Sequence, residues 1–257
     1  MDREIQKLKK ASVIRIARFA LDSINQLFWP AACDNCRQTI CETDSSLCKT
    51  CWNQLIECTG ADYCQRCGRN AAKAAMLESA CPECMGKEVS FDRIARAGIY
   101  AHSLAKMILS FKNGKTQLDS ILGFLAESAF QGSGYHNEID FFVPVPLHWS
   151  RRLVRGYNQS HLIAFRIAQS RKKINTDLVR IRRTKLQPAM ASPAARARNV
   201  AGAFAVRSGH NFAEKKICLV DDIKTTGATL NECAKMLKQA GAKKVFALVL
   251  AVAGQKI

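Results

Sequence analysis

Acidic side chains are scarce in this sequence of 257 residues: 21 Asp and Glu stand against 39 Lys and Arg, and the formal net charge is +18. Also lacking is an apolar run long and uncharged enough for a membrane span or the core of an export signal. The nearest candidate, close to the N-terminus, is broken by Arg15, Arg18 and Asp22, so a cytoplasmic location is expected. Cysteine is rare outside one stretch. Only Cys218 and Cys233 lie beyond Cys33–Cys84, both among apolar residues, where free thiols behave as small hydrophobes. No low-complexity tract and no repeat beyond the CxxC pairs is evident. The absence of a helix-turn-helix or finger-type recognition helix argues against a transcription regulator.

What is present begins with those cysteines. They read Cys33-x2-Cys36, Cys48-x2-Cys51, Cys64-x2-Cys67 and Cys81-x2-Cys84, with Cys41 and Cys58 left over. In a reducing compartment paired cysteines are metal ligands before they are disulfides. One CxxC turn offers two thiolates to a Zn²⁺, and two turns complete a tetrahedral site, so four pairs predict two sites. Pairing of neighbours is the simplest arrangement; a cross-braced pairing also satisfies the spacing. Apolar residues between Cys33 and Cys84 are too sparse for an independent core, so metal is expected to hold this module together.

Upstream, residues 5–28 carry Val13, Ile16, Ala20, Ile24 and Leu27 at helical spacing, and Pro30 stops that amphipathic helix. Downstream the texture becomes α/β. Ala95–Tyr100 predicts a strand and residues 102–130 a helical stretch through Leu104, Met107, Ile108 and Phe111. Phe141–Pro146 reads as a short buried strand, Ser160–Gln169 as helix, and Arg183–Ala201 as an exposed loop. Ile217–Val220, a helix over Thr226–Ala240 before Gly241, and Val245–Val252 follow. Strands apolar on both faces, alternating with helices, predict a parallel sheet covered on two sides. Three parts are expected: a helix over 1–30, a cysteine-rich zinc module over 31–90 and an α/β domain over 91–257.

The most informative segment is Val220-Asp221-Asp222-Ile223-Lys224-Thr225-Thr226-Gly227-Ala228-Thr229. A strand ending in two acids and running through a Thr/Gly turn into a helix suits one ligand type. The turn and the helix N-terminus offer N–H and hydroxyl groups to a phosphate, and the carboxylates can accept bonds from vicinal ribose hydroxyls. This segment resembles the phosphate loop of type I phosphoribosyltransferases. The resemblance implies Asp221 and Asp222 on the ribose of phosphoribosyl pyrophosphate (PRPP), with Thr225, Thr226, Gly227, Ala228 and Thr229 around its 5′-phosphate. Arg151, Arg152 and Arg155-Gly156-Tyr157-Asn158-Gln159-Ser160, after the short strand, stand where such enzymes place a pyrophosphate loop. Guanidinium groups match phosphate oxygens bidentately.

Cysteine knuckles, the Arg-Gly-Tyr-Asn-Gln-Ser patch and the Asp-Asp-Thr-Thr-Gly segment, in that order, are similar to the ComF/GntX family of competence-associated proteins. Lys112, Arg183-Thr184-x2-Gln187 and Arg196-x2-Asn199 add to the likeness. It implies a phosphoribosyltransferase-like parallel sheet flanked by helices, preceded by a small zinc-ribbon-like module. It further implies PRPP with Mg²⁺, and a role on internalised single-stranded DNA beside other competence proteins. If turnover occurs, Asp221 or Asp222 would stand near the developing positive charge and Arg151 or Arg152 would steady the pyrophosphate. The alternative is a metabolic phosphoribosyltransferase with no DNA role, whose acceptor base or amine nothing in the sequence names. Thirteen Arg or Lys against the single acid Asp177 between His148 and Val200 favour a polyanionic partner. Arg155, Arg171, Lys172 and Lys173 are the candidate nucleic-acid contacts, with Trp149, Tyr157 and Phe165 as stacking groups.

Overall fold

The computed structural model describes residues 31–40, 45–76, 80–85, 87–168, 173–184 and 192–254. The helix expected over 5–28 lies outside these residues, as do Cys41, Arg171 and Lys172. The chain divides into two compact units, Met1–Trp52 and Asn53–Ile257.

The first unit contains a cysteine ribbon. Ala32 and Thr39 form an antiparallel bridge around the Cys33–Cys36 turn, and helix α1 (Lys49–Thr59) starts in the next CxxC pair. The second unit opens on another ribbon of the same design, with the bridge Tyr63–Asn70 around Cys64–Cys67. The CxxC pairs therefore belong to a duplicated element, a repeat hidden in the sequence because only its cysteines are common to both copies.

The α/β body follows. Its elements are β1 (Arg93–Ile99), α2 (His102–Lys112), α3 (Asp119–Gln131), β2 (Phe141–Pro144), α4 (Trp149–Arg155) and α5 (Gln159–Ala168). These are followed by β3 (Lys173–Ile174), β4 (Leu178–Arg180), α6 (Pro193–Val200), β5 (Phe204–Val206), β6 (Lys216–Lys224), α7 (Ala228–Gln239) and β7 (Lys244–Val252). Five strands make one sheet in the order β1-β7-β6-β2-β3, all parallel, while β4 and β5 form a separate antiparallel pair. The central strands β6 and β7 are buried along almost their whole apolar length, which is what a two-sided cover requires. On one face Ile217, Leu219, Val245 and Ala247 pack with Leu230, Cys233 and Leu237 of α7. Tyr135 anchors the other face. Its ring stacks on Phe246 at 4.3 Å, and its hydroxyl donates to the Ala247 carbonyl (2.6 Å) and accepts from the Ala95 N–H (3.1 Å). Cys218 and Cys233 are fully buried, as expected of core thiols.

Two expected features differ. The helical stretch over 102–130 is broken after Lys112, where Gly114 adopts φ 102° and a short 3₁₀ turn intervenes before α3. The segment expected as a loop over 183–201 contains α6. Ser192 caps it by accepting the Ala195 N–H (3.1 Å), Pro193 occupies its first turn, and Val200 buries its end. The cap residue followed by proline was the signal for this helix, and the low apolar content obscured it.

Candidate functional site

The parallel register brings the C-terminal ends of β6 and β2 to one rim: Pro144 lies opposite Val220, and the Val145 N–H bonds the Val220 carbonyl at 2.9 Å. Ligands of open parallel sheets bind at such a rim. β6 carries Asp221 and Asp222 there. The Ser160 hydroxyl donates to Asp221 Oδ1 (3.0 Å), as does the Asp222 N–H (2.9 Å). Lys112, at the end of α2, pairs with Asp222 Oδ1 at 3.0 Å. Burial, and then the Asp222 charge, push the Asp221 carboxyl from 3.8 up to about 7, against the bonds and charge just named.

Beyond the acids the chain turns through Thr225 and Thr226 to Gly227, the N-cap of α7. Gly227 has φ 86°, a conformation that favours glycine, and a Cβ there would stand 3.0 Å from Lys224 Cε. Asn231 makes the first intrahelical bond, to the Gly227 carbonyl (2.8 Å). Ala228 bonds the Thr226 hydroxyl (3.4 Å). The N–H groups of this first turn have no acceptor within the helix and stand at its positive end. Lys224 is buried beneath the turn at 7 % exposure. Burial holds its ammonium below the usual lysine range, and the Cys67, Cys84 and Cys64 thiolates oppose that shift, which puts the lysine within electrostatic reach of the second ribbon.

The arginine segment is more ordered than a solvated loop. His148 caps α4, its Nδ1 accepting from the Ser150 N–H (3.3 Å), and Gly156 ends the helix at φ 78°. Arg151 donates to the Thr184 carbonyl (2.7 Å) and Arg155 to Gln159 Oε1 (3.2 Å), whereas Arg152 is exposed. Neither Arg151 nor Arg152 forms an ion pair among the described residues. Tyr157 bonds the Phe111 carbonyl and sets its ring 5.8 Å from the Phe111 ring, which ties this segment to the helix bearing Lys112. Asn158 Nδ2 holds the Val145 carbonyl (3.0 Å), and its Oδ1 accepts from the Ser160 N–H (3.1 Å). The sequence reading missed the part that Ser160, Lys112 and Arg180 play. Arg180, on β4, lies over the Phe204 ring at 5.2 Å, bonds Thr184, and is close enough to Asp221 for its guanidinium to feel that charge. Of the candidate nucleic-acid contacts, Lys173 is exposed on the short edge strand β3.

The cysteines fall into two groups of neighbours, Cys33, Cys36, Cys48 and Cys51, and Cys64, Cys67, Cys81 and Cys84, each with all sulfurs within 4.8 Å of one another. Sulfur separations of 3.6 Å (Cys36–Cys48), 3.7 Å (Cys64–Cys84) and 3.6 Å (Cys67–Cys81) are close to the edge of about 3.8 Å expected for four thiolates around Zn²⁺ at about 2.3 Å. Each group also receives a backbone N–H on its first sulfur, Cys48 to Cys33 and Cys81 to Cys64, both at 3.3 Å. Both groups fit structural zinc. Cys58 belongs to neither; its thiol donates to the Ala101 carbonyl at 3.3 Å.

Residues 24–85 match the double zinc ribbon domain. Over 225 residues the chain is 29 % identical to Competence protein F of Haemophilus influenzae, covering 85 % of this chain and 95 % of that protein. It is 30 % identical over 215 residues to Competence protein ComFC of Streptococcus pneumoniae, covering 80 % and 88 %. With DNA utilization protein YhgH of Escherichia coli the identity is 27 % over 222 residues, 84 % and 94 % of the two chains. No helix among the described residues is long and apolar enough to cross a membrane.

Proposed function

The chain belongs to the ComF family of competence proteins, and from that premise we propose that it binds PRPP at the rim of β6 and serves DNA uptake by handling single-stranded DNA. The names of its relatives support the competence role. The PRPP reading rests on one observation: two carboxylates at the end of a central parallel strand lead through a left-handed glycine directly into a helix N-terminus.

In this reading Asp221 and Asp222 accept the ribose hydroxyls. The turn from Thr225 to Thr229 encloses the 5′-phosphate, and Arg151 and Arg152 of α4 serve the pyrophosphate. Ser160 and Lys112 are positioning residues: the first orients Asp221, and the second neutralises Asp222 until ligand arrives. Two carboxylates are the hard oxygen donors that suit Mg²⁺, which would neutralise pyrophosphate charge when bound. Lys173 and Arg155, with Arg171 and Lys172, supply backbone attraction for a single strand.

Calorimetry with PRPP and Mg²⁺ tests the first half, and saturable binding is expected. Anisotropy with a labelled single strand tests the second: affinity should fall linearly with salt on logarithmic axes, with a shallower slope when Arg171, Lys172 and Lys173 are neutralised together. Absence of PRPP binding, or a slope that the triple variant leaves unchanged, overturns the corresponding half.

A further inference from the structure

Beside the acids, and not lined by them, a cleft of about 590 Å³ opens between the end of β2, helices α4 and α5 and the antiparallel pair β4–β5. That is within the range of about 300–1,000 Å³ typical of small-molecule sites. Its wall carries three guanidinium groups, Arg152, Arg180 and Arg207, and no carboxylate. Arg152 and Arg207 are exposed and Arg180 is partly buried, so the wall presents positive charge and favours an anionic occupant. Two flat rings, Trp149 and Tyr157, stand in the same wall. Tyr157 is fixed by its bond to the Phe111 carbonyl, whereas Trp149 is 67 % exposed and so presents its indole to an incoming ligand. Arg180 is held by Thr184 and Phe204, yet its buried Nε has no hydrogen-bond partner.

An anion with a flat heteroaromatic body satisfies every part of this wall. We propose that the cleft is a nucleotide seat, taking one base against Trp149 and Tyr157 and its phosphate against Arg180 and Arg207. The shared chemistry is that of a nucleoside 5′-monophosphate, either free or as part of a single strand. In this second sense the proposal rests on the DNA-handling half of the reading above; Arg152, which that reading gives to the pyrophosphate, also lines the cleft, so the nucleotide's phosphate is assigned to Arg180 and Arg207 alone.

The full-length protein titrated with thymidine 5′-monophosphate should show saturable quenching of tryptophan emission, which Trp149→Phe removes. Thymidine alone and inorganic phosphate should bind at least about tenfold more weakly, because each supplies half of the contacts. Arg207→Gln should weaken the monophosphate roughly tenfold, the size expected for one charged contact, and Thr176→Trp, at an exposed lining position, should block it. PRPP affinity by calorimetry should be the same in both variants, so failure of the PRPP reading is distinguishable from failure of this one. A 5′-hydroxyl thymidine dodecamer that competes as well as the monophosphate assigns the seat to the interior of a strand. Competition only by the 5′-phosphorylated dodecamer assigns it to a free or terminal nucleotide. No saturable quenching, or quenching that Arg207→Gln and Thr176→Trp both leave unchanged, overturns the proposal.

Discussion

The two cysteine ribbons share one backbone plan and differ in what surrounds it. In each, the first cysteine of the knuckle bonds five residues ahead, Cys33 N–H to Gln38 at 2.8 Å and Cys64 N–H to Arg69 at 2.9 Å. In each, the residue after the knuckle bonds back, Arg37 to Cys33 and Gly68 to Cys64. In the first ribbon Cys36 is exposed and Cys48 partly so, whereas all four cysteines of the second are buried. The second ribbon is also joined to the sheet. The Gln65 carbonyl accepts the Ile94 N–H (2.8 Å), the Gln65 side chain accepts from Arg93, and the buried Arg96 reaches Asn70 and lies over the Tyr63 ring at 4.8 Å. The second ribbon is thus an extension of the α/β core. Lys224 is within electrostatic reach of that extension and stands beside Gly227, so zinc in the second ribbon should influence the proposed PRPP site.

The largest expected effect separates the two directly. Cys67→Ser should release one zinc, destabilise the Asn53–Ile257 unit by on the order of 4–5 kcal/mol, as losing a structural metal does, and weaken PRPP. Cys36→Ser should release one zinc and leave both the main unfolding transition and PRPP affinity in place. Metal content, a denaturant melt and calorimetry on each variant check this, and equal effects would dissolve the distinction.

A smaller effect concerns the residue after each knuckle. Arg37 and Gly68 both adopt the left-handed region, at φ 67° and 77°. At Gly68 a Cβ would also approach Val252 Cγ2 at 3.0 Å and Ile94 Cγ2 at 3.5 Å. Gly68→Ala should therefore cost about 2 kcal/mol, from backbone strain and crowding together. Arg37→Gly should stabilise the first ribbon by less than about 1 kcal/mol. Thermal melts of the two variants test the sign as well as the size.

The smallest concerns pH, and only the second unit should show it. The Asp221 carboxyl is held above its ordinary range, so the folded apo protein favours its protonated form. That contribution to stability is complete below about pH 4 and is lost as pH rises towards about 7. Relative to Asp221→Asn, the apo protein should lose a few degrees of melting temperature across that window. A difference that stays flat between pH 4 and 8 would show that Asp221 titrates normally.

Much of this was readable in the chain itself, because the signals are local. The apolar runs of β6 and β7, the acid-to-glycine turn and the CxxC spacing each occupy a few consecutive residues. What the sequence concealed is tertiary. Ser160 and Lys112 stand out in the sequence only as parts of a family likeness, and nothing near them announces that they meet Asp221 and Asp222. Arg180 was one cation among thirteen until the pairing of β4 with β5 set it over Phe204. The second ribbon's attachment is carried by Gln65, Tyr63 and Asn70, residue types that carry no pattern of their own.

The acid pair and the turn after it are proposed to form a PRPP site. Calorimetry of the zinc-loaded protein with PRPP and Mg²⁺ near pH 7, run in two buffers of different ionisation enthalpy, tests it most directly. Saturable binding with net proton release is expected, because ligand and metal favour the ionised Asp221. Asp221→Ala with Asp222→Ala should abolish measurable binding while the melting transition remains. Binding of unchanged affinity in that double variant, or none in the parent protein, would contradict it.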